Sequence, residues 1–450
     1  MPEKKGKKPT ANGHHDTPDK PAAVYFKSLT IRDVKCFRGE HTIDLSDGEG
    51  RPAQWTVILG NNNTGKTTLL KCLAGLEVMG DFKLTEKTSI WKLIRGNPVN
   101  VDLMFKPKGI TEWSELIFRV DGFFHLASEG FSGNFRDLTH NWHFGTNSPL
   151  EDVVFNDPEF LGLKIEAYGA SRKMAHDKII NSEPTNRHSS LFKNEDIENI
   201  EEWLLQAHLA RFQGDENTKE RASKIINKAG EILTSGLLPD VKKIWFKSED
   251  KGQSFDNYLA FETDFGQIRL RDLGYGYQTM LAWVLDLVRR MFERYPDSPN
   301  PIREPAIVLV DEIDLHLHPE WQRKIIAHLT KYFPNTQFIV TAHSPLVVQS
   351  AEKINLVLLE KEGDHVNIRQ PKIPTYQGWS LEEILTDVMG LDDRTHSDVY
   401  LDLYDRFEKA VEAEDYEAAQ AAYEGLVKIV HPSSHLPKLL RLRMSSLMPA

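Results

Sequence analysis

The sequence predicts an α/β fold: a core built on a mixed β-sheet with an antiparallel β lobe, an inserted helical lobe and a C-terminal helical hairpin. Two segments far apart in the chain carry this prediction. Residues 55–59 are an apolar run that leads into a glycine-containing loop, and residues 306–310 are a second apolar run that ends in two carboxylates. Short apolar runs of this kind are typical of buried parallel strands. Their wide separation predicts one core with a large insertion.

Composition excludes several classes of protein. The 450 residues are 40% hydrophobic and 27% charged, which is ordinary for a globular protein. No run of 18 or more apolar residues is present, so we expect no membrane span. The cysteines, Cys36 and Cys72, are too few for a disulfide framework. These features favour a protein of the reducing cytoplasm.

The charge balance opposes binding of nucleic acid along the whole surface. The net charge is −11, whereas proteins that bind DNA or RNA broadly are basic. We therefore expect any nucleic acid to be contacted through a local patch or through a partner. Residues 1–22 are rich in Lys, Pro and Gly and lack the apolar segment of a secretory signal, which predicts a disordered tail. Its lysines either stay solvated or touch nucleic acid.

The loop after the first apolar run fits the phosphate-binding pattern G-x-x-x-x-G-K-[ST], and an apolar helix is expected to begin behind it. Its glycines let backbone N–H groups approach phosphate oxygens, while Lys66 reaches the β- and γ-phosphates and the Thr67 hydroxyl ligates Mg²⁺. This strand–loop–helix context predicts ATP as the ligand. The predicted ATP-binding residues of the loop are Gly60, Asn61, Asn62, Asn63, Thr64, Gly65, Lys66, Thr67 and Thr68.

The two carboxylates after the second apolar run have the chemistry of the other half of an ATPase site. Asp311, at the strand end, is expected to hold the same Mg²⁺ as Thr67, directly or through water. Glu312 is then placed to orient or deprotonate the attacking water. The alternative for Glu312 is a solvated carboxylate at the end of a strand.

Residues 273–278, with the sequence Leu-Gly-Tyr-Gly-Tyr-Gln, open a predicted apolar helix. They resemble the signature loop of ABC-type ATPases, L-S-x-G-x-[QEK], which meets the γ-phosphate held by the opposite subunit. The resemblance implies that Gly274, Gly276 and Gln278 contact nucleotide across a dimer. Gly274 stands where the serine usually does, so a hydroxyl contact is lost while the backbone N–H groups and the helix dipole remain.

Histidines lie on both sides of the last predicted core strand, residues 338–341. His316 and His318, close to Asp314, allow either a metal site or a loop at a dimer interface, and no third metal ligand lies nearby at convincing spacing. His343 follows the strand and is expected to hydrogen-bond the γ-phosphate or the attacking water. A core histidine with no catalytic role is the alternative.

The order of these motifs resembles that of ABC-type ATPases of the SMC/RecF/OLD class (AAA15/AAA21-like), over roughly residues 24–395. The nearest subgroup is the ATPase subunit of Septu-type anti-phage defence systems, with similar Ala-Tyr-Gly, Tyr-Gly-Tyr-Gln and Asp-Glu-Ile-Asp-Leu-His-Leu-His-Pro elements. The ATPase of PARIS-type defence systems is a close second. The resemblance implies a homo-oligomer, at least a dimer, with ATP at the interface. It also implies a separate nuclease subunit of HNH type, through which nucleic acid is reached.

Periodicity and composition divide the chain into segments. Residues 195–235 have helical periodicity, and residues 398–413 and 416–430 are amphipathic with a two-residue link, which predicts an αα-hairpin. The predicted segments are a disordered tail (1–22), the N-terminal part of the ATPase core with the β lobe (23–190), an inserted helical lobe (191–240), the C-terminal part of the core (241–370) and a C-terminal helical region (371–450).

Two functions of different classes follow from the sequence. In the first, the chain binds and hydrolyses ATP as the sensor and scaffold of an anti-phage defence complex and controls a partner nuclease. In the second, it is a RecF-like DNA-repair or recombination ATPase that binds DNA directly. The acidic net charge favours the first. The sequence has no paired acidic metal cluster outside Asp311-Glu312 and no HNH spacing, so we expect no nuclease activity of its own.

Overall fold

The computed structural model describes the greater part of the chain. The predicted tail at residues 1–22 lies outside the described residues. The chain divides into two compact units, Met1–Thr375 and Tyr376–Ala450. The described residues are 23–32, 34–74, 116–125, 136–144, 165–175, 189–237, 241–264, 266–391 and 395–447.

Strands and helices alternate along the first unit, and the second unit is helical. The strands are β1 (Ala23–Arg32), β2 (Glu40–Asp44), β3 (Trp55–Gly60), β4 (Leu116–His125), β5 (Arg136–Phe144), β6 (Ile165–Tyr168), β7 (Lys243–Asp250), β8 (Phe255–Thr263), β9 (Gly266–Arg269), β10 (Ala306–Val310), β11 (Thr336–Ala342), β12 (Asn355–Glu362) and β13 (His365–Arg369). The helices are α1 (Lys66–Ala74), α2 (Ser189–Lys193), α3 (Ile200–Gln213), α4 (Glu216–Ile232), α5 (Tyr275–Arg294), α6 (Pro319–Gln322), α7 (Ile325–Tyr332), α8 (Pro345–Ser350), α9 (Leu381–Glu383), α10 (Asp398–Glu412), α11 (Tyr416–Ile429) and α12 (Leu436–Ser445).

A mixed sheet forms the centre of the first unit, with the strand order β13-β12-β3-β11-β10-β6. Its neighbours are parallel except at the edge, where β13 runs antiparallel to β12. Strands β10 and β11 are buried along their whole length, as apolar parallel strands covered on both faces are. Because parallel strands end at the same edge, Gly60, Asp311 and Ala342 lie together there, where α/β proteins bind ligands.

An antiparallel sheet of order β2-β1-β4-β5 forms the predicted β lobe. The side chain of Gln337 in β11 joins this antiparallel sheet to the central sheet. The Phe26 N–H donates to Gln337 Oε1 (2.8 Å), and the Phe26 carbonyl accepts from Gln337 Nε2 (2.7 Å). The Gln337 amide is buried and satisfies both backbone groups of Phe26, as a paired strand would.

Helices α3 and α4 lie in the segment that the sequence predicts to be helical, and they pack against each other. A further antiparallel sheet, β7-β8-β9, follows them in the chain. The sequence sets the start of each helix, because Asn199 and Asp215 accept N–H groups of the first turns of α3 and α4. Glu201 of α3 accepts the Leu259 N–H of β8 (2.8 Å), which ties this helical layer to the sheet.

A buried ionic cluster joins β6 to the long helix α5. Glu166 of β6 bonds with Arg290 (3.0 Å) and Arg294 (2.9 Å), and Asp286 bonds with Arg289 (2.8 Å). The side chains of both acids are fully buried. Removing one partner from a buried ion pair costs about 3–5 kcal/mol, so the cluster fixes α5 against the edge strand.

The second unit contains the short helix α9, the predicted hairpin of α10 and α11, and the further helix α12; the last three form its core. Asp415, in the predicted link, accepts the Ala418 N–H (3.0 Å) and begins α11. Helix α12 lies within the predicted C-terminal helical region (371–450), and its Leu436, Leu440 and Met444, spaced four residues apart, pack in or against the core of this unit. Helices α10, α11 and α12 all contribute to this core: Phe407, Ala410, Ala419, Ala422, Tyr423, Leu426, Leu440 and Met444.

The predicted α/β fold class, with a mixed sheet, an antiparallel lobe and added helices, is confirmed. No helix in the described ranges is long and apolar enough to cross a membrane.

We expect Gln337→Ala to lower the free energy of unfolding by about 3 kcal/mol, because each buried backbone group of Phe26 that loses its partner costs about 1–3 kcal/mol. Urea unfolding followed by tryptophan fluorescence measures the change. Gln206→Ala on the exposed surface of α3 is the matched control, with an effect within about 0.5 kcal/mol. Equal effects of the two substitutions would show that other contacts hold the lobe.

Candidate nucleotide site

The predicted phosphate loop lies between β3 and α1, and close packing explains its glycines. Gly65 has a φ of +93°, and a Cβ there would lie 2.7 Å from Cys36 Sγ. A Cβ at Gly60 would lie 2.6 Å from Thr64 Oγ1. Thr64 Oγ1 donates to the Asn61 carbonyl (2.8 Å) and closes the turn. The other predicted members of the loop are the exposed Asn62 and Asn63 and the buried Thr68.

Lys66 folds back over the loop. Its Nζ donates to the carbonyls of Gly60 (2.7 Å) and Asn61 (3.0 Å). Burial lowers the pKa of Lys66, although the carboxylates of Glu312 and Asp311 oppose the shift. Phosphate oxygens are stronger acceptors than backbone carbonyls, so this ammonium is suited to exchange its loop partners for them.

Asp311 connects the phosphate loop to the central sheet. Its Oδ2 accepts from Thr67 Oγ1 at the start of α1 (2.7 Å), and its Oδ1 accepts from Thr341 Oγ1 of β11 (2.6 Å). Asp311 is buried, with 4% of its surface exposed. The structure thus brings Thr67 and Asp311 together as the sequence predicts. Their oxygens are the ligand type that Mg²⁺ prefers.

Glu312 lies in a tight turn with its carboxylate near His343. Its φ is +51°, and its N–H donates to Thr341 Oγ1 (2.6 Å). Glu312 Oε1 lies 3.9 Å from His343 Nε2, and these side chains are 31% and 38% exposed. The His343 N–H donates to Asp314 Oδ2 (2.9 Å), which fixes the start of the loop after β11. The two predicted catalytic side chains therefore face each other where solvent reaches them.

The signature-like residues lie at the start of α5. Gly274 is the N-cap, and Gln278 Nε2 donates to the carbonyls of Leu273 (2.7 Å) and Arg271 (3.0 Å). A Cβ at Gly276 would lie 2.1 Å from the His316 carbonyl oxygen. Gly276 is therefore required by contact with the turn after Asp311 in the same chain. Contact of these three residues with a nucleotide of a second subunit stays a prediction.

The metal interpretation of His316 and His318 gains no support. His318 Nδ1 accepts the Glu320 N–H and caps the short helix α6 (3.4 Å). The His316 ring packs edge-on against Tyr275 of α5, with a centroid distance of 4.9 Å. Within the described ranges, no three His, Cys, Asp or Glu side chains are grouped to hold a metal ion.

Sequence reasoning misses Arg172 as part of the site. The arginine follows β6 and is buried, and its guanidinium donates to the carbonyls of Asp311 and Glu312. Its only signal in the sequence is its position after the Ala167-Tyr168-Gly169 strand end. Backbone acceptors have no sequence signature, so the pattern does not identify its partners.

Comparison with protein families gives the class of this site. The model of an AAA ATPase domain family matches residues 163–348, and that of an AAA domain family matches residues 28–111. The two matches include Asp311-Glu312 and the phosphate loop. The chain thus contains a P-loop ATPase domain, which implies ATP binding.

Comparison with individual proteins gives the family. The chain is 36% identical to the Septu protein PtuA of Bacillus thuringiensis over 93% of this chain and 98% of that protein. It is 28% identical to a Septu protein PtuA of Bacillus mycoides (strain KBAB4) over 85% of this chain and 47% of that protein. A solved Smc head bound to the C-winged helix domain of ScpA is 15% identical, with a TM-score of 0.43, over 77% of this chain and 97% of that chain.

The chain belongs to the Septu PtuA family, ATPases of anti-phage defence. The resemblance to Septu-type ATPase subunits that the motifs indicate is thereby confirmed.

We expect Gly276→Ala to destabilise the chain, because the added Cβ overlaps the His316 carbonyl and displaces the turn that carries Glu312. The effect on ATP hydrolysis should exceed that on ATP affinity, since the loop of residues 60–67 is not displaced. Gly274→Ala is the matched control for stability, because its Cβ would meet Tyr277 at an ordinary 3.5 Å. Melting temperatures and ATPase rates measure both effects, and equal melting temperatures would contradict the steric argument.

Proposed function

We propose that the chain binds ATP with Mg²⁺ and hydrolyses it. The observation that carries this proposal is the continuous set of hydrogen bonds from Thr67 through Asp311 and Thr341 to Glu312. These bonds hold metal-binding oxygens and a candidate base at a fixed position relative to the phosphate loop. Positioning of this kind, with stabilisation of charge, supplies most of the catalysis of phosphoryl transfer.

The loop and Lys66 bind the phosphates. Backbone N–H groups of residues 60–67 face the anion at the start of α1, and the Lys66 ammonium donates to the β- and γ-phosphates. Thr67 and Asp311 would hold Mg²⁺, and their hydroxyl and carboxylate oxygens fit a hard cation. When bound, the ion neutralises charge on the phosphate oxygens.

Glu312 and His343 act on the attacking water. Glu312 orients the water and accepts its proton as the oxygen approaches the γ-phosphorus. His343, 3.9 Å from the Glu312 carboxylate, donates to the γ-phosphate or holds the water. The Glu312 carboxylate is partly exposed, so water reaches it without a rearrangement of the core.

A second copy of the chain completes each site. In this proposal Gly274, Gly276 and the N-terminus of α5 meet the γ-phosphate bound by the opposite subunit. The 20-residue helix α5 directs the positive end of its dipole towards that phosphate. The active form is then at least a dimer with ATP at the interface.

The nucleotide state controls a partner nuclease. Membership in the Septu family supports an ATPase that acts in a defence complex, and the chain itself has no HNH spacing. We propose a sensor and scaffold role, in which a separate HNH-type nuclease cuts nucleic acid. The alternative, a RecF-like ATPase that binds DNA directly, is opposed by the net charge of −11. Strong DNA binding by the purified chain at physiological salt would favour that alternative.

Lys66→Ala should weaken ATP binding about 10- to 100-fold, because charge-assisted hydrogen bonds to the phosphates are lost. Glu312→Gln should keep ATP binding and lower turnover about 10²- to 10⁴-fold, because the base is removed. We expect Glu312→Gln to accumulate as an ATP-bound dimer. Nucleotide affinity, ATPase rate and light-scattering mass measure these effects.

Glu320→Gln is the control for the loss of an acidic side chain close to the site. Glu320 is exposed and pairs with Lys324, so the change should leave turnover unaffected. Undiminished turnover in Glu312→Gln would contradict the role of Glu312. A chain that remains monomeric with full ATPase activity would contradict the composite site.

The exposed face of α12, in the C-terminal unit, is the proposed docking surface for the nuclease. Leu439 and Leu442 of α12 are 57% and 70% exposed beside basic residues, and the unit has a core of its own. Leu439→Asp with Leu442→Asp should abolish co-purification of the proposed nuclease subunit and protection against phage. ATPase activity should be kept, and the purified chain should not cleave DNA with Mg²⁺.

Val399→Asp on α10 is the matched control, since Val399 is also apolar and 62% exposed. It should retain the nuclease. If both variants bind the nuclease normally, docking lies elsewhere, and α3 and α4 become the next candidates. DNA cleavage by the purified chain would contradict the scaffold role.

A further inference from the structure

Arg172 bridges two segments of the candidate site. Its Nη1 donates to the carbonyls of Gly169 (3.0 Å) and Asp311, and its Nη2 donates to the Glu312 carbonyl (2.8 Å). The residue is 1% exposed. The guanidinium fork therefore joins the end of β6 to the turn after β10. Trp283 of α5 packs near the guanidinium, with Cζ 6.0 Å from the ring centroid.

Packing alone does not account for an arginine at this position. In the part of the chain that the structure describes, Arg172 forms no salt bridge, and its acceptors are backbone carbonyls. Burial lowers the pKa of Arg172 to about 10, although Asp311, Asp314 and Glu312 act in the other direction. A buried cation without a paired carboxylate is costly, and an apolar side chain would fill the space at lower cost.

The hydrogen bonds of Arg172 fix the backbone on both sides of Glu312. The peptide group before Glu312 is held at the Asp311 carbonyl by Arg172 and at the Glu312 N–H by Thr341. The peptide group after it is held at the Glu312 carbonyl by Arg172. With both peptide planes fixed, the φ and ψ of Glu312 are fixed, and so is the direction of its Cα–Cβ bond.

The fixed conformation is one that Glu312 would not adopt unaided. Its φ of +51° is left-handed, which costs a residue with a Cβ roughly 1–2 kcal/mol. Such a conformation persists only where surrounding contacts enforce it. Here the enforced turn places the Glu312 carboxylate beside His343.

We propose that Arg172 is a positioning residue for ATP hydrolysis: it holds the turn that aims Glu312 at the attacking water. This inference rests on the proposed ATPase function. Arg172 acts through Glu312 and touches neither the nucleotide nor the water. Its loss should therefore reduce turnover and spare the phosphate loop.

Arg172→Lys tests the proposal, because lysine keeps the charge but lacks the planar fork that reaches separate carbonyls. We expect kcat to fall about 10²-fold, the loss that a 1 Å misplacement of a catalytic group produces. The KM for ATP and the ATP-dependent dimer mass should stay unchanged. A parallel loss of kcat and ATP affinity, or an unchanged kcat, would overturn the proposal.

Arg289→Lys is the matched control for a conservative change at a buried arginine. It should leave kcat unchanged because, among the described residues, Arg289 bonds to side chains of α5 and to Glu198, away from the turn that carries Glu312. The turnover of the double variant Arg172→Lys/Glu312→Gln is a second test. If Arg172 acts through Glu312, the double variant turns over no slower than Glu312→Gln alone. If the two losses multiply, Arg172 acts on another step and the proposal fails.

Crystal structures distinguish a failure of this inference from a failure of the proposed ATPase function. Absence of ATP hydrolysis by the unaltered chain would refute the proposed function. The φ of Glu312 in crystals of Arg172→Lys would still test the inference, which fails if the left-handed conformation is kept. If that variant does not fold, crystals of the unaltered chain with a non-hydrolysable ATP analogue and Mg²⁺ decide. Arg172 must then still donate to both carbonyls, and its release from them would overturn the proposal.

Discussion

The candidate site depends on one hydroxyl group, that of Thr341. The hydroxyl donates to Asp311 Oδ1, and its oxygen accepts the Glu312 N–H, so a single side chain of β11 orders the Asp311 carboxylate and the Glu312 backbone. The strand order makes this possible, because β11 lies between β3, which leads into the phosphate loop, and β10, which leads to Asp311. Asp311 then reaches across to Thr67 at the start of α1. The Asp311 carboxylate thus accepts two hydrogen bonds, which join the end of β10 to the end of β11 and the start of α1.

The sequence predicts those site residues that directly follow a recognisable strand in the chain. The phosphate loop and Asp311-Glu312 follow strands recognisable from short apolar runs, and parallel strands bring their ends together without further information. The role of Arg172 is not predictable in this way, because its acceptors are carbonyls 139 and 140 residues away and any residue type has a carbonyl. Gln278 shows that a local contact can also be missed. Its side chain donates to the Leu273 carbonyl just before its own helix, and the comparison with the signature loop does not reveal this bond.

The charges at the site support the proposed divalent cation. Lys66 and Arg172 bring two positive charges, while the carboxylates of Asp311, Glu312 and Asp314 act on both of them. Phosphate groups placed among these carboxylates would be repelled in the absence of a metal ion. A divalent cation held by Thr67 and Asp311 would offset these negative charges. The carboxylates present therefore support the proposal that ATP binds together with Mg²⁺.

Backbone strain after β10 is concentrated where side-chain chemistry is needed. Glu312 and His316 both have left-handed φ values, +51° and +63°, which glycine would adopt at lower cost. A glycine at position 312 would relieve the strain but remove the carboxylate that faces His343. The His316 carbonyl oxygen lies so close to Gly276 that a Cβ would not fit at position 276. The His316 imidazole packs on Tyr275. The turn therefore contacts the start of α5 through His316 and carries the candidate base at Glu312. A glycine at position 316 would lose the packing on Tyr275, and a glycine at position 312 would lose the carboxylate. The strained conformation is thus tied to the side chains that the turn carries.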